Sequence, residues 1–264
     1  MICVYDSGVG GLTVLRALRR IAPSADVIYL GDTARVPYGN RSAATVTAYA
    51  REALGYLATL RPSLVIAACG TVSTVCLPHL TGFSFPVVGV AEAGVDAALA
   101  AAPRGRVAVL GTEATVRSRY FASRLSAHRG VRVKSIACPL LVALAEGGLT
   151  APADPLPALV CERLLAPLVP FCPEAIVLGC THFPWLAPHI ARLFPAATLI
   201  DCGEAAALAY HGRLSAERGA GRTEYLVTDD PAGFARTARR LTGCPLDGPC
   251  RRVTLSPRTG HTKS

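Results

Sequence analysis

Leu64-Val65-Ile66-Ala67-Ala68-Cys69-Gly70-Thr71 and Ala175-Ile176-Val177-Leu178-Gly179-Cys180-Thr181-His182 are two stretches of like build that lie 111 positions apart. Each is a run of four or five apolar residues bounded by small ones and followed by a helical pattern, which reads as a buried parallel strand of an α/β unit. Each delivers one cysteine to the strand-to-helix turn. There the first free backbone N–H groups and the positive end of the helix dipole favour a thiolate, the form that acts as nucleophile or base. Two such turns, equivalently placed in two halves, predict a pair of thiols facing a shared cleft.

Outward from these turns, the first half reads as strands over 2–5, 27–30, 64–68 and 87–90, with a helix ending near 21 and another over 43–60. The second half repeats the theme with strands over 107–110, 131–136, 176–178 and 198–200. Val4-Tyr5-Asp6-Ser7-Gly8 also corresponds to Val109-Leu110-Gly111-Thr112-Glu113, at an offset close to that of the cysteines. Strands alternating with helices imply parallel sheets. The fold class predicted is therefore α/β, with two pseudo-symmetric α/β domains, mainly parallel sheets and an active site in the interdomain cleft. Residues 1–92 with 206–255 form the expected first domain, which is discontinuous, 93–205 the second, and 256–264 a flexible tail.

Composition narrows the function. With 264 residues and 51% hydrophobic content the chain can bury a substantial core. No apolar stretch approaches the roughly 18 to 20 residues of a membrane span, and Met1 leads directly into strand-like Ile2-Cys3-Val4-Tyr5, so no membrane partner and a cytoplasmic location are expected. Ten cysteines without an export signal read mostly as small core hydrophobes rather than disulfides. The net charge of +9 is spread in short pairs such as Arg19-Arg20 and Arg251-Arg252, which argues against a nucleic-acid partner. Lys134 and Lys263 are the only lysines, one on a strand face and one in a polar tail, which leaves no Schiff-base lysine for pyridoxal phosphate.

Asp6-Ser7-Gly8-Val9-Gly10-Gly11 follows the first strand and opens a helix, so it can cradle an anion or simply cap the helix through Asp6 or Ser7. Its spacing matches neither the dinucleotide fingerprint nor the P-loop. The loop from Gly31 through Asp32, Arg35 and Tyr38 to Gly39 is a second strand-end loop, either ligand-binding or merely well capped. Cys180-Thr181-His182 sets an imidazole two residues from a thiol, close enough to tune it or serve as a second acid. Cys69, Cys180 and His182 lack the C-x-x-C pairing of zinc sites, and no metal is expected. Glu146, ending the apolar run 140–145, reads on its own as a helix-terminal surface charge.

Taken together, the segments 6–14, 31–39, 111–115 and 179–184 resemble the glutamate racemases of the aspartate/glutamate racemase superfamily. The resemblance implies cofactor-independent interconversion of L- and D-glutamate, with D-glutamate supplied to peptidoglycan. It implies Cys69 and Cys180 as the two acid/base thiols, tuned by Asp6 and His182, with Glu146 a further supporting carboxylate. Asp6, Ser7, Tyr38, Gly39, Gly70, Thr71, Thr181 and His182 look like substrate-binding positions, and a homodimer is compatible with it. One position departs: the family usually has asparagine after the first cysteine, where this chain has Gly70. Loss of that amide leaves two alternatives beside glutamate, a racemase of aspartate or another amino acid and a binding homologue without catalysis.

Overall fold

The computed structural model describes residues 1–255, and the tail expected at 256–264 lies outside them. Ten strands occur among the described residues. They are β1 (Ile2–Asp6), β2 (Val27–Gly31), β3 (Leu64–Ala67), β4 (Val87–Gly89), β5 (Arg106–Gly111), β6 (Arg132–Ala137), β7 (Ala175–Leu178), β8 (Thr198–Asp201), β9 (Thr223–Val227) and β10 (Cys250–Arg252). All pair in parallel, in one sheet ordered β10-β9-β2-β1-β3-β4 and another ordered β6-β5-β7-β8. The fold is thus α/β with two parallel sheets.

The central strands are buried on both faces, which is why they read as unbroken Val/Ile/Leu runs instead of alternating patterns. Their crossovers carry helices: α1 (Leu12–Ile21), α2 (Ala43–Thr59), α3 (Gly70–Val75), α4 (Val90–Ala101) and α5 (Glu113–Arg117) serve the strand ends that matter below. In α1 the buried Leu12, Val14, Leu15 and Leu18 form one face, while Arg19 and Arg20 occupy the last turn, where positive charge suits the helix dipole. Val90, expected at the end of a strand, is instead the first residue of α4. The strand β10 was not foreseen, because Cys250-Arg251-Arg252 is too short and too charged to show a strand pattern.

One buried cluster runs through both sheets, joining Val4 and Ile66 to Val109 and Val177 by way of α1, α4 and the helix Cys202–Ala209. The expected domain boundaries at 92/93 and 205/206 fall inside these last two helices. Ile66 is fully buried, and replacing such a side chain by alanine destabilises by about 2–5 kcal/mol.

Strand register aligns the functional ends. In the first sheet Tyr5 pairs with Ala67 and Asp6 with Gly31, so the loops after β1, β2 and β3 emerge side by side. In the second sheet Leu110 pairs with Leu178 and Gly111 with Ala137, which brings out the loops after β5, β6 and β7 together. Carboxyl strand ends are where open parallel sheets hold ligands.

Candidate active site

Asp6 closes β1 and is fully buried. One carboxylate oxygen accepts a hydrogen bond from the Gly8 N–H at 3.0 Å, while the other has no partner among the described residues. Burial raises the Asp6 pKa and the nearby Glu146 charge adds to this, against lowering contributions from His182 and the N–H groups of Gly8 and Gly11. The turn beyond it is held by Tyr29, whose hydroxyl donates to the Gly8 carbonyl at 2.7 Å. Ser7 therefore stands at a fixed point on the cleft wall.

Cys69 caps α3 just beyond β3, with its Sγ 3.6 Å from Ser7 Oγ. The thiolate expected from the turn geometry is not the favoured form here. Burial pushes the thiol up to about 12, and the negative charge of Asp6 acts in the same direction, outweighing the Val72 N–H and the Ser7 hydroxyl. A short helix end cannot offset the removal of a sulfur anion from water.

The second turn is built differently. Cys180 Sγ lies 3.7 Å from His182 Nδ1, and His182 Nε2 lies 3.1 Å from Glu146 Oε1. Burial disfavours the imidazolium, yet hydrogen bonds to Cys180 and Glu146 prevail and hold His182 up at about 10. Glu146 is correspondingly lowered, chiefly by its hydrogen bond to His182. Glu146 is indeed the last residue of its helix (Pro139–Glu146) and exposed, and from there one carboxylate oxygen reaches the imidazole.

Both turns open into one cleft of about 410 Å³, a size suited to a small molecule. Ser7, Tyr38, Gly39, Cys69, Gly70, Thr71, Glu146, Cys180, Thr181 and His182 all line it, whereas Asp6 sits behind the wall. Tyr38 lines it through its body alone, because its hydroxyl donates to Asp32 and meets the Tyr5 hydroxyl at 3.0 Å. Asp32 also accepts from Arg35 Nε at 2.7 Å and Thr228 at 2.8 Å, so the polar residues of the 31–39 loop largely hold the loop itself.

Thr112, Glu113, Asn40 and Val142 line the cleft without having been singled out. Thr112 had a signal, since the internal repeat equates it with Ser7. Its hydroxyl meets that of Thr71 at 3.0 Å across the cleft, and the neighbouring Ala114 N–H donates to the Gly39 carbonyl at 2.8 Å. His182 is the one basic side chain among the described lining residues. Among the described residues no three acidic, histidine or cysteine side chains converge as metal ligands, and no helix is long and apolar enough to cross a membrane.

Residues 12–209 match the family model described as Asp/Glu/Hydantoin racemase. The chain is 42% identical over 247 residues to a glutamate racemase of Thermus thermophilus, covering 91% of each. It is similar to the crystal structure of glutamate racemase from that organism in complex with beta-chloro-D-alanine, with a TM-score of 0.83, 39% identity and 96% of both chains covered. A glutamate racemase from Francisella tularensis in complex with D-glutamate superposes with a TM-score of 0.85 at 29% identity, over 96% of this chain and 97% of that one.

Proposed function

This chain belongs to the Asp/Glu/hydantoin racemase family, and on that premise we propose that it interconverts L- and D-glutamate without a cofactor, using Cys69 and Cys180 as the two acid/base groups. It is an amino-acid racemase, an isomerase. The observation that carries the two-thiol reading is that both cysteines, from equivalent turns of the two sheets, line the same cleft. Formation of D-glutamate in the cytoplasm for peptidoglycan is the role this reading implies.

Inversion at Cα needs a proton removed from one face and another delivered to the opposite face, which one fixed base does poorly. In one direction the Cys69 thiolate takes the Cα proton: the C–H bond breaks with its electron pair left on carbon, and an S–H bond forms. The Cys180 thiol then gives its proton to the other face, leaving Cys180 as thiolate. The reverse direction starts from that second state. With Cys69 held near 12, its ionisation is aided when the substrate's α-ammonium enters, because a nearby cation favours the thiolate. Asp6, with its raised pKa and uncommitted oxygen, is suited to exchange a proton with this side. On the other side His182, braced by Glu146, stands beside the Cys180 sulfur. Charge gathering on the α-carboxylate would meet the hydroxyls of Ser7, Thr71 and Thr112 and backbone N–H groups at the strand ends.

The test is to incubate the purified protein with L-glutamate in deuterated water without added cofactor. Loss of both optical rotation and the Cα proton signal is expected. If glutamate keeps both while aspartate or another amino acid loses them, the substrate assignment is wrong. Calorimetric binding of glutamate without Cα exchange would replace the reading with that of a binding homologue.

A further inference from the structure

Gly70 is the first residue of α3, directly after Cys69. A Cβ placed there would lie 2.1 Å from the Gly179 carbonyl oxygen, 3.1 Å from its carbon and 3.6 Å from Cys180 Cα. These are backbone atoms, so no side-chain rotation relieves the overlap. Each turn is also tied to its own sheet, through Ala68 N–H to Tyr5 O at 2.8 Å and Gly179 N–H to Leu110 O at 2.8 Å. A side chain at position 70 is therefore accommodated only by moving one cysteine-bearing turn away from the other.

The second turn also lies close to the first half at Gly10, there through its side chains. A Cβ at Gly10 would meet Thr181 Oγ1 at 2.1 Å and His182 Cε1 at 2.8 Å. Thr13, buried behind it, has its hydroxyl 3.2 Å from the Thr181 carbonyl and 3.0 Å from that of Gly10. The turn 179–182 thus rests on the first half at three points, main chain to main chain at Gly70 and through side-chain atoms at Gly10 and Thr13.

We infer that Gly70 is a positioning residue: its missing side chain lets the two cysteine-bearing turns meet backbone to backbone and so sets the separation across which Cys69 and Cys180 act. The inference rests on the two-thiol reading of the cleft. It reverses the simplest expectation for this position. If the absent amide were merely a lost substrate contact, Gly70→Asn would improve the enzyme; here Asn brings the same Cβ and forces the turns apart.

The experiment compares racemisation by the wild type, Gly70→Ala, Gly70→Asn and Thr13→Val, with Gly212→Ala as a control because nothing lies within 4 Å of a Cβ there. Relief of the overlap needs a displacement on the order of 1 Å, and such misplacement of reacting groups lowers turnover on the order of 100-fold. Both Gly70 variants should lose kcat to about this extent, with KM changed far less. The second readout is deuterium in recovered, uninverted glutamate relative to deuterium in inverted product. A carbanion out of reach of the second thiol persists until the proton on the first sulfur has exchanged with deuterated solvent and then takes that deuteron back on the same face, so this ratio should rise in the Gly70 variants and, to a smaller degree, in Thr13→Val. A variant that only folds poorly loses exchange and inversion together and leaves the ratio unchanged. Crystals of Gly70→Ala give an arm independent of substrate, with turn 179–182 expected to have moved off α3.

Gly70→Asn with wild-type or higher kcat overturns the inference, as does a Gly70→Ala structure in which the two turns have not separated. An unchanged exchange ratio in every variant also overturns it, Thr13→Val deciding if the Gly70 variants fail to fold. Failure of the wild type itself to racemise glutamate would count against the functional reading, and the crystallographic arm would still judge the spacing.

Discussion

His182 Nδ1 stands 3.7 Å from Cys180 Sγ within a single turn, and both side chains are largely buried on the cleft wall. The His182 pKa is raised from 6.5 to about 10, meaning that the folded state binds this proton more tightly than the unfolded chain. Its stabilising contribution is therefore complete below about pH 6.5 and is lost as pH rises towards about 10. The stability gap between wild type and His182→Gln should narrow across that window in urea unfolding. A gap independent of pH would show that the imidazole is not held protonated.

Cys69 makes a contrasting prediction. A thiol pushed up to about 12 is scarcely ionised at neutral pH, and alkylation proceeds through the thiolate. Iodoacetamide should label Cys69 slowly at about pH 7.5 and about tenfold faster for each unit of pH towards 12, read by mass spectrometry of peptides. Rapid labelling at neutral pH, on the scale of the exposed Cys172 and Cys244, would contradict a neutral, shielded thiol.

Asp6→Asn separates stability from activity. The pKa of this buried carboxyl is raised, so its ionised form is disfavoured by folding. Wild-type stability contributed here is present below the unfolded carboxyl value of about 3.9 and lost as pH rises through the folded one. The amide does not titrate, and it can keep the Gly8 N–H bond through its oxygen. Asp6→Asn should therefore gain stability relative to wild type as pH climbs above about 4, while racemisation falls because the proton-accepting oxygen is gone. Retained turnover would remove Asp6 from the proton path.

How much of this was legible beforehand differs between backbone and side chain. The two apolar runs ending at Cys69 and Cys180 carried the parallel strands, and the internal repeat carried the common placement of both turns. The local sequence also told where Glu146 sits on its helix. It could not tell that the helix aims Glu146 at His182, because that depends on packing 36 positions away in the chain. The Cys69 shift was missed for a similar reason: a strand-end turn argues for a thiolate, but the desolvation that overrides it comes from residues distant in sequence. The inward-turned hydroxyl of Tyr38 likewise reflects a partner, Asp32, whose burial no spacing rule reveals.

Thr112 joins the two halves at a second level. Its side chain accepts from the Thr115 N–H at 3.2 Å as the cap of α5 and meets the Thr71 hydroxyl at 3.0 Å. Thr112→Val keeps the shape and deletes both interactions. Loss of a cap of this type destabilises by about 0.5–2 kcal/mol, which denaturant unfolding can resolve. Because the same hydroxyl orients Thr71 beside Cys69 on the cleft wall, KM for glutamate should rise as well. Thr112→Ser retains the hydroxyl and should restore both properties, which separates the hydrogen bonds from the methyl group. A valine variant with lowered stability but unchanged KM would confine Thr112 to capping, with no part in holding the substrate side of the cleft.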